Sequence, residues 1–399
     1  MLPRFEVVAR RRPVALWLPG PVRAPYAALT ADGSSALTLA GGPVTVEATY
    51  GDGVALHVTA GGRTTTHRSR RSSRPEAPVE AVALTLTGPH VTAFTREAGL
   101  WVARARHDLT DRHDVHDEEW LSGLTGSGEL GRFGQLGLRD LRVVTEVDGA
   151  PVRDAGRFLL TGTSAGPGGF PSGHCSVWAL DPATLELEHR ADLFVRRGGV
   201  YGDHAAHLVR DGERWLLASS TWGDFHREDR PVGVTLAESA EDLTRGVHVL
   251  DARPLGLPTE GFRSVGVWDP HLVRTADGWL VGYVSARKYF RFHPVLAAGR
   301  SLDALAVRAV GSGPETEGTT LARLDGEWRV LASDRRRRCY PVLDLDLREL
   351  ATLDAAYPTN IPWPTLAGDL LVGFNGAAYG GRLVGYGSHG EVVLQRAVR

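Results

Sequence analysis

Short runs in which apolar and polar residues alternate dominate the first third of the chain. VTVEA (Val44–Ala48) and ALHVT (Ala55–Thr59) change character at almost every residue, the period of a half-buried strand. Similar runs lie at Val14–Leu18, Ser35–Leu39, Val82–Leu86, Val91–Phe94 and Leu100–Ala105. Turn pairs such as Asp32-Gly33, Gly41-Gly42 and Asp52-Gly53 separate them. No long amphipathic helical pattern interrupts the series. These features predict a β-sandwich-like domain over residues 1–124. The glycine-rich stretch TGSGELGRFGQLG, Thr125 to Gly137, marks the expected boundary, with a second domain over residues 125–399.

Beyond that boundary a degenerate repeat appears. YGDHAAHLVRDGERWLLAS (Tyr201–Ser219), VWDPHLVRTADGWLVGYV (Val267–Val284) and TEGTTLARLDGEWRVLAS (Thr316–Ser333) share one plan. An acid is followed by a short apolar strand, a turn closing on glycine, and a second apolar strand. Asp203, Asp269 and Glu317 each lead a glycine by nine residues: Gly212, Gly278 and Gly326. RDLRVVTEVDG gives an earlier copy from Asp140 to Gly149, and NIPWPTLAGDLLVGFN a weaker one with Asn360 in the acid position. Five hairpins of this kind predict a five-bladed β-propeller, in which each sheet buries both faces against its neighbours. On this reading the inner strands begin near Asp140, Asp203, Asp269, Glu317 and Asn360. A shared register would carry the acids to one end of the central channel.

Composition narrows the function classes. The 399 residues suit two domains, and 42% hydrophobic residues suit a sizeable core. A formal net charge of −2 gives no reason to expect nucleic acid or an anionic membrane as partner. Lys288 is the sole lysine, a bias we assign to the genome and not to chemistry. Cys175 and Cys339 are too few for a disulfide framework and are expected as buried free thiols. The first residues lack the apolar core of a signal peptide, so a cytoplasmic location is expected. The basic stretch GGRTTTHRSRRSSRPE and the acidic, histidine-rich DRHDVHDEEW are expected as solvated loops. There is no P-loop, dinucleotide fingerprint or GxSxG elbow.

The phrases RDLRVV, WDPHLVRTADGWLVGY and TEGTTLARLDGEWRVLAS resemble the inner-strand motifs of the family 43 glycoside hydrolases. That family shares a clan of five-bladed propellers with families 32, 62 and 68. The resemblance covers residues from about 130 to 399. It implies a general base at Asp140, a modulating acid at Asp269 and a general acid at Glu317. Asp203 stays open as an alternative base, because GDHAAHLV is a clean copy of the same motif. Two departures stand out: Arg-Asp-Leu replaces the family's Asp-Pro, and Gly318-Thr319-Thr320 replaces Gly-Pro-His.

The expected activity is hydrolysis of short oligosaccharides or glycosides, inverting, with arabinose or xylose units implied by the resemblance alone. Asp203, His204, Trp222, Trp268, His271 and Arg139 are the expected substrate-binding residues. No cofactor is required, while the channel leaves room for a structural calcium or sodium ion. A non-catalytic carbohydrate-binding propeller is one alternative. A phosphorolytic or transferase propeller, with Arg139 or Arg287 holding phosphate, is another.

Overall fold

The computed structural model describes residues 2–358, 361–376 and 390–398. Strands dominate it. Among the described residues, five antiparallel arrays of four strands follow one another, the first two joined edge to edge by parallel pairing of Ala191–Arg196 with Gly246–Asp251. The first comprises Leu138–Val143, Arg157–Ser164, His174–Leu180 and Leu187–Arg196; the second His204–Asp211, Arg214–Ser220, Val234–Ser239 and Gly246–Pro254. The third holds Val267–Thr275, Gly278–Lys288, Arg291–Gly299 and Leu305–Val310. The fourth holds Thr316–Leu324, Glu327–Asp334, Pro341–Leu343 and Glu349–Thr352. Thr365–Ala367, Leu370–Asn375 and Glu391–Val398 belong to the fifth.

Apolar side chains join the arrays into a ring. Val177 and Leu193 of the first meet Leu208 and Leu217 of the second. Leu216 and Leu236 meet Leu272 and Val281 of the third. Leu280 and Leu296 meet Leu321 and Val330 of the fourth, and Leu331 and Tyr340 meet Leu371 of the fifth. The circle closes where Val372, Phe374 and Val392 pack on Leu141 and Leu160 of the first. The arrays therefore bury their faces against one another around a ring, the packing of a β-propeller. Each fully buried Leu, Val or Phe contributes roughly 1.5–3 kcal/mol of transfer free energy to that closure.

The preceding residues form a six-stranded and a five-stranded sheet. Leu39, Val46 and Val58 of the smaller sheet pack on Leu84, Leu86 and Val91 of the larger. The far side of the larger sheet seats Tyr26, Phe94 and Phe133 against Phe194 and Val200 of the propeller.

Strand pairing crosses the expected 124/125 boundary in both directions. Arg4–Arg11 pairs antiparallel with Glu391–Val398 and forms the outer strand of the fifth array. Gly131–Gln135, expected beyond the boundary, pairs with Ala15–Leu18 and Tyr26–Asp32 in the larger sheet. Alternation reports a strand's local period and says nothing about a partner at the other end of the chain.

Two expected loops are more ordered than their composition suggested. Within the basic stretch, Arg63–His67 is the edge strand of the smaller sheet, and its charge suits an unpaired edge. In DRHDVHDEEW, Asp117 caps the short helix Glu118–Ser122, and the buried Trp120 donates Nε1–H to the Gly41 carbonyl at 2.8 Å. Cys175 is buried and Cys339 half-buried, both as free thiols. No described helix is long and apolar enough to cross a membrane.

Candidate active site

The site begins with a repeated bulge. Arg139 pairs with Thr163 and Arg142 with Thr161, so Asp140 and Leu141 share one partner position. The same shift separates His204 from His207, Trp268 from His271, and Glu317 from Thr320. The first residue of each bulge has left-handed backbone: Asp140 at φ 54°, Ala205 at 58°, Asp269 at 59° and Gly318 at 71°. Ile361, at φ 54°, takes that conformation just before the fifth inner strand. Asp and Gly adopt it at modest cost, whereas a β-branched Ile there is strained. Neighbouring hydroxyls satisfy backbone groups that the bulges release. The Asp269 N–H donates to Ser220 Oγ at 2.9 Å and the Ala205 N–H to Thr163 Oγ1 at 3.0 Å.

The equivalent tetrads are therefore RDLR, HAAH, WDPH and EGTT, with IPW closing the fifth. This corrects the shared register expected for the acids. Asp203 lies two residues before its bulge and Glu317 one before, while Asp140 and Asp269 occupy the bulge itself. Asn360 lies outside the described residues. The glycine ruler misled because glycine takes different places around a constant two-residue turn. Gly212 is the first turn residue, between Asp211 and Arg214; Gly326 is the second, between Leu324 and Glu327. Gly278 starts the following strand, paired with Thr275.

The bulges aim three acids into one pocket. Asp140, Asp269 and Glu317 line a cavity of about 460 Å³ together with Arg139, His204, Trp222, Trp268 and Trp363. They come from the first, third and fourth arrays. The structure leaves two expected substrate-binding residues out of this lining. Asp203 is buried, with its carboxylate bound by Arg197 at 2.7 and 3.1 Å and by the Gly223 N–H at 3.3 Å. Burial raises its pKa even against that guanidinium. His271 stacks on His207 at 3.9 Å, two residues beyond the bulge and deeper in the ring. Burial pushes both imidazoles well below the usual range, so both are neutral.

Burial also sets the acids' protonation. Glu317 is pushed up to about 7, first by desolvation and then by the charge of Asp140. Trp268 Nε1–H donates to its Oε2 at 3.4 Å. Asp269 is raised well above the usual carboxylate range by burial and then by Glu317, and it accepts the Gly318 N–H at 3.3 Å. Arg139 Nε donates to Asp140 Oδ1 at 3.1 Å. His204 is lowered to about 4 by burial, which outweighs the opposing pull of Asp140.

Beneath the acids lies Arg142, fully buried and absent from the sequence expectations. Its Nη1 donates to Thr320 Oγ1 at 2.9 Å and its Nη2 to the Asp269 carbonyl at 3.0 Å, and the guanidinium lies 4.6 Å over the Trp363 ring. Desolvation lowers its pKa to about 10, which leaves it cationic at neutral pH, with Asp269 and Asp140 favouring the charge. Calcium and sodium take oxygen ligands. A guanidinium with a pair of stacked imidazoles beside it does not fit such an ion, and like charge opposes one there.

The opposite wall is aromatic. Phe170 stacks on Trp222 at 4.3 Å, Trp222 meets Phe225 and Trp268 edge-on, and Phe225 meets Tyr289 edge-on. The sandwich supports this wall: Tyr26 Oη lies 2.8 Å from the carbonyls of Pro171 and Gly173, which flank the Phe170 turn. No repeat or motif singles out Phe170, Phe225 or Tyr289, because loops between strands obey no common register.

No protein-family model matches the sequence, and no curated protein sequence matches it. Solved structures with a similar course include the Bombyx mori GH32 β-fructofuranosidase BmSUC1, at 16% identity and TM-score 0.44 over 66% of this chain. The match spans 60% of the length of the silkworm enzyme. Bacillus subtilis arabinanase Arb43A matches at 12% identity and TM-score 0.42, over 66% of this chain and 94% of its own. A Penicillium chrysogenum α-L-arabinanase complexed with arabinobiose matches at 11% and 0.39, over 98% and 99%. Likeness at this level carries no functional argument, and the chemistry of the pocket has to stand on its own side chains.

Proposed function

We propose that the five arrays are the blades of a five-bladed propeller glycosidase that cleaves short glycosides in the three-acid pocket. The observation that carries this reading is the meeting there of Asp140, Asp269 and Glu317, with Glu317 held near pH 7 by burial and by Asp140. Glycoside cleavage requires one carboxyl group that is protonated near neutrality and another that is ionised. Glu317 gives its proton to the leaving oxygen as the bond from that oxygen to the anomeric carbon breaks. Water adds to the anomeric carbon, and its proton goes to Asp140. Asp269, beside Glu317 in the pocket, hydrogen-bonds a sugar hydroxyl. Arg142 fixes the Asp269 backbone from below and supplies the positive charge that the acids face.

Asp140 and Glu317 come from the first and fourth arrays, which are not neighbours in the ring. That placement supports an inverting course, in which acid and base stand apart with a water between them. Arabinosides and xylosides are the first substrates to try, on the strength of the motif resemblance. In the phosphorolytic reading Arg139 or Arg287 holds phosphate. Arg139 is engaged with Asp140, and Arg287 lines a different cavity with Arg291 and Arg336. A panel of nitrophenyl glycosides, assayed with and without phosphate, tests the proposal. Turnover independent of phosphate is expected; turnover only with phosphate favours the phosphorylase, and none at all favours a binding protein.

A further inference from the structure

The pocket has two chemically distinct ends. Its charged side chains gather near the acids, with only Arg227 and Arg335 added elsewhere in the lining. Among the described lining residues there is no Ser, Thr, Asn or Gln. A second sugar placed beyond the scissile bond would find Arg227, 5.9 Å over the Tyr289 ring, and Arg335 to donate to its hydroxyls. Among the described side chains there, only the Tyr289 hydroxyl would accept from them, so several hydroxyls would lose water without gaining an acceptor. Facing that end instead are Phe170, Trp222, Phe225, Tyr289, Phe290 and Phe292. Phe290, at φ 69° in the turn between two strands of the third array, is 76% exposed, more than any other large apolar side chain among the described residues. An aromatic side chain held in water at a pocket rim, beside a continuous aromatic wall, fits a flat apolar partner.

We infer that the leaving group of the substrate is a flat aromatic aglycone, so that the substrate is an aryl glycoside and not a plain oligosaccharide. This rests on the glycosidase reading and deepens it. The sugar occupies the acid end, among Arg139, His204 and Trp268. The aglycone lies along the wall, and its phenolic oxygen receives the Glu317 proton as the glycosidic bond breaks.

Isothermal titration of 2-naphthol into the full-length protein tests the wall without any need for turnover. Saturable one-site binding is expected, unchanged in sign by Glu317→Gln and not displaced by millimolar xylobiose. Trp222→Ala and Phe225→Ala should each weaken it about tenfold, the scale of a lost aromatic contact. Phe290→Ala removes a side chain that stands outside the core, so its weakening, by a few-fold, cannot arise from misfolding. Absence of saturable binding, indifference to all three substitutions, or displacement by xylobiose overturns the inference. Glycoside turnover without naphthol binding overturns this inference alone. Naphthol binding without turnover of any glycoside sustains the aromatic site and overturns the hydrolase reading.

Discussion

Glu317 holds its proton at a cost to the fold. Its pKa rises from the ordinary 4.5 to about 7, so the folded state binds more protons than the unfolded state between those values. Stability from this group is full below pH 4.5 and is lost as pH rises through about 7. Glu317→Gln should therefore stabilise the protein at pH 8, by about 3 kcal/mol as an order of magnitude, with most of that gain gone at pH 5. Urea unfolding at the two pH values checks this. The same variant should lose roughly 10²–10⁴-fold in activity on glycosides with poor leaving groups, and less on nitrophenyl glycosides. Asp269→Asn discriminates between two sources of the Glu317 shift. An anionic Asp269, in the modulating role that the resemblance implies, is one such source; burial with Asp140 is the other. Burial and then Asp140 raise Glu317, while the repulsion between Glu317 and Asp269 raises Asp269, so the alkaline limb of the Asp269→Asn pH–rate profile should stay near 7. A limb moved down by a full unit would contradict that assignment. The identities of Asp140, Asp269 and Glu317 were legible in the sequence because acids in a repeated hairpin are conspicuous. Arg142 was not, since an arginine two residues beyond a bulge looks like any surface arginine until the ring buries it.

The bulge decides which residues of each inner strand face the pocket. An extra residue at left-handed φ re-aims the side chains on either side of it, which is why positions one and two of RDLR, HAAH and WDPH, and Glu317 of EGTT, reach the cavity. Sequence spacing captured the repeat but slipped by two residues in HAAH and by one in EGTT. Side-chain direction in a strand alternates, so a slip of that size turns a structural acid into an apparent ligand. Asp203 shows the consequence: it binds Arg197, which also donates to Asp224 at 2.6 Å, and lies outside the cavity lining. Asp203→Asn should cost about 3 kcal/mol of stability, because it breaks a buried ion pair. It should keep kcat/KM within a few-fold at a temperature where it remains folded, while Asp140→Asn abolishes turnover. Activity assays paired with thermal melts separate the two.

At the scale of the whole molecule, the chain's two ends meet in one sheet. Arg4–Arg11 covers Glu391–Val398, and Phe5 packs in the cluster that joins the fourth and fifth arrays. Removing residues 2–11 should expose that sheet edge and lower the melting temperature, with aggregation on heating. A truncated protein as stable as the full chain would show that the closure is dispensable. The all-β class and the ring were legible because hairpin repeats report local period. This closure, and the sandwich strand Gly131–Gln135, depend on partners more than a hundred residues away and left no local trace. Sandwich and ring together hold the pocket: Tyr26 fixes the turn that carries Phe170, and the bulged inner strands bring the acids. The measurement that bears most directly on the central claim is kcat/KM against pH, on a glycoside with a poor leaving group, for the unmodified protein and Glu317→Gln. The account predicts a rate that falls above about pH 7 in the unmodified protein, and a much lower rate without that limb in Glu317→Gln. An unmodified protein with no alkaline limb, or a limb that persists unchanged in Glu317→Gln, would contradict the assignment of Glu317 as the acid.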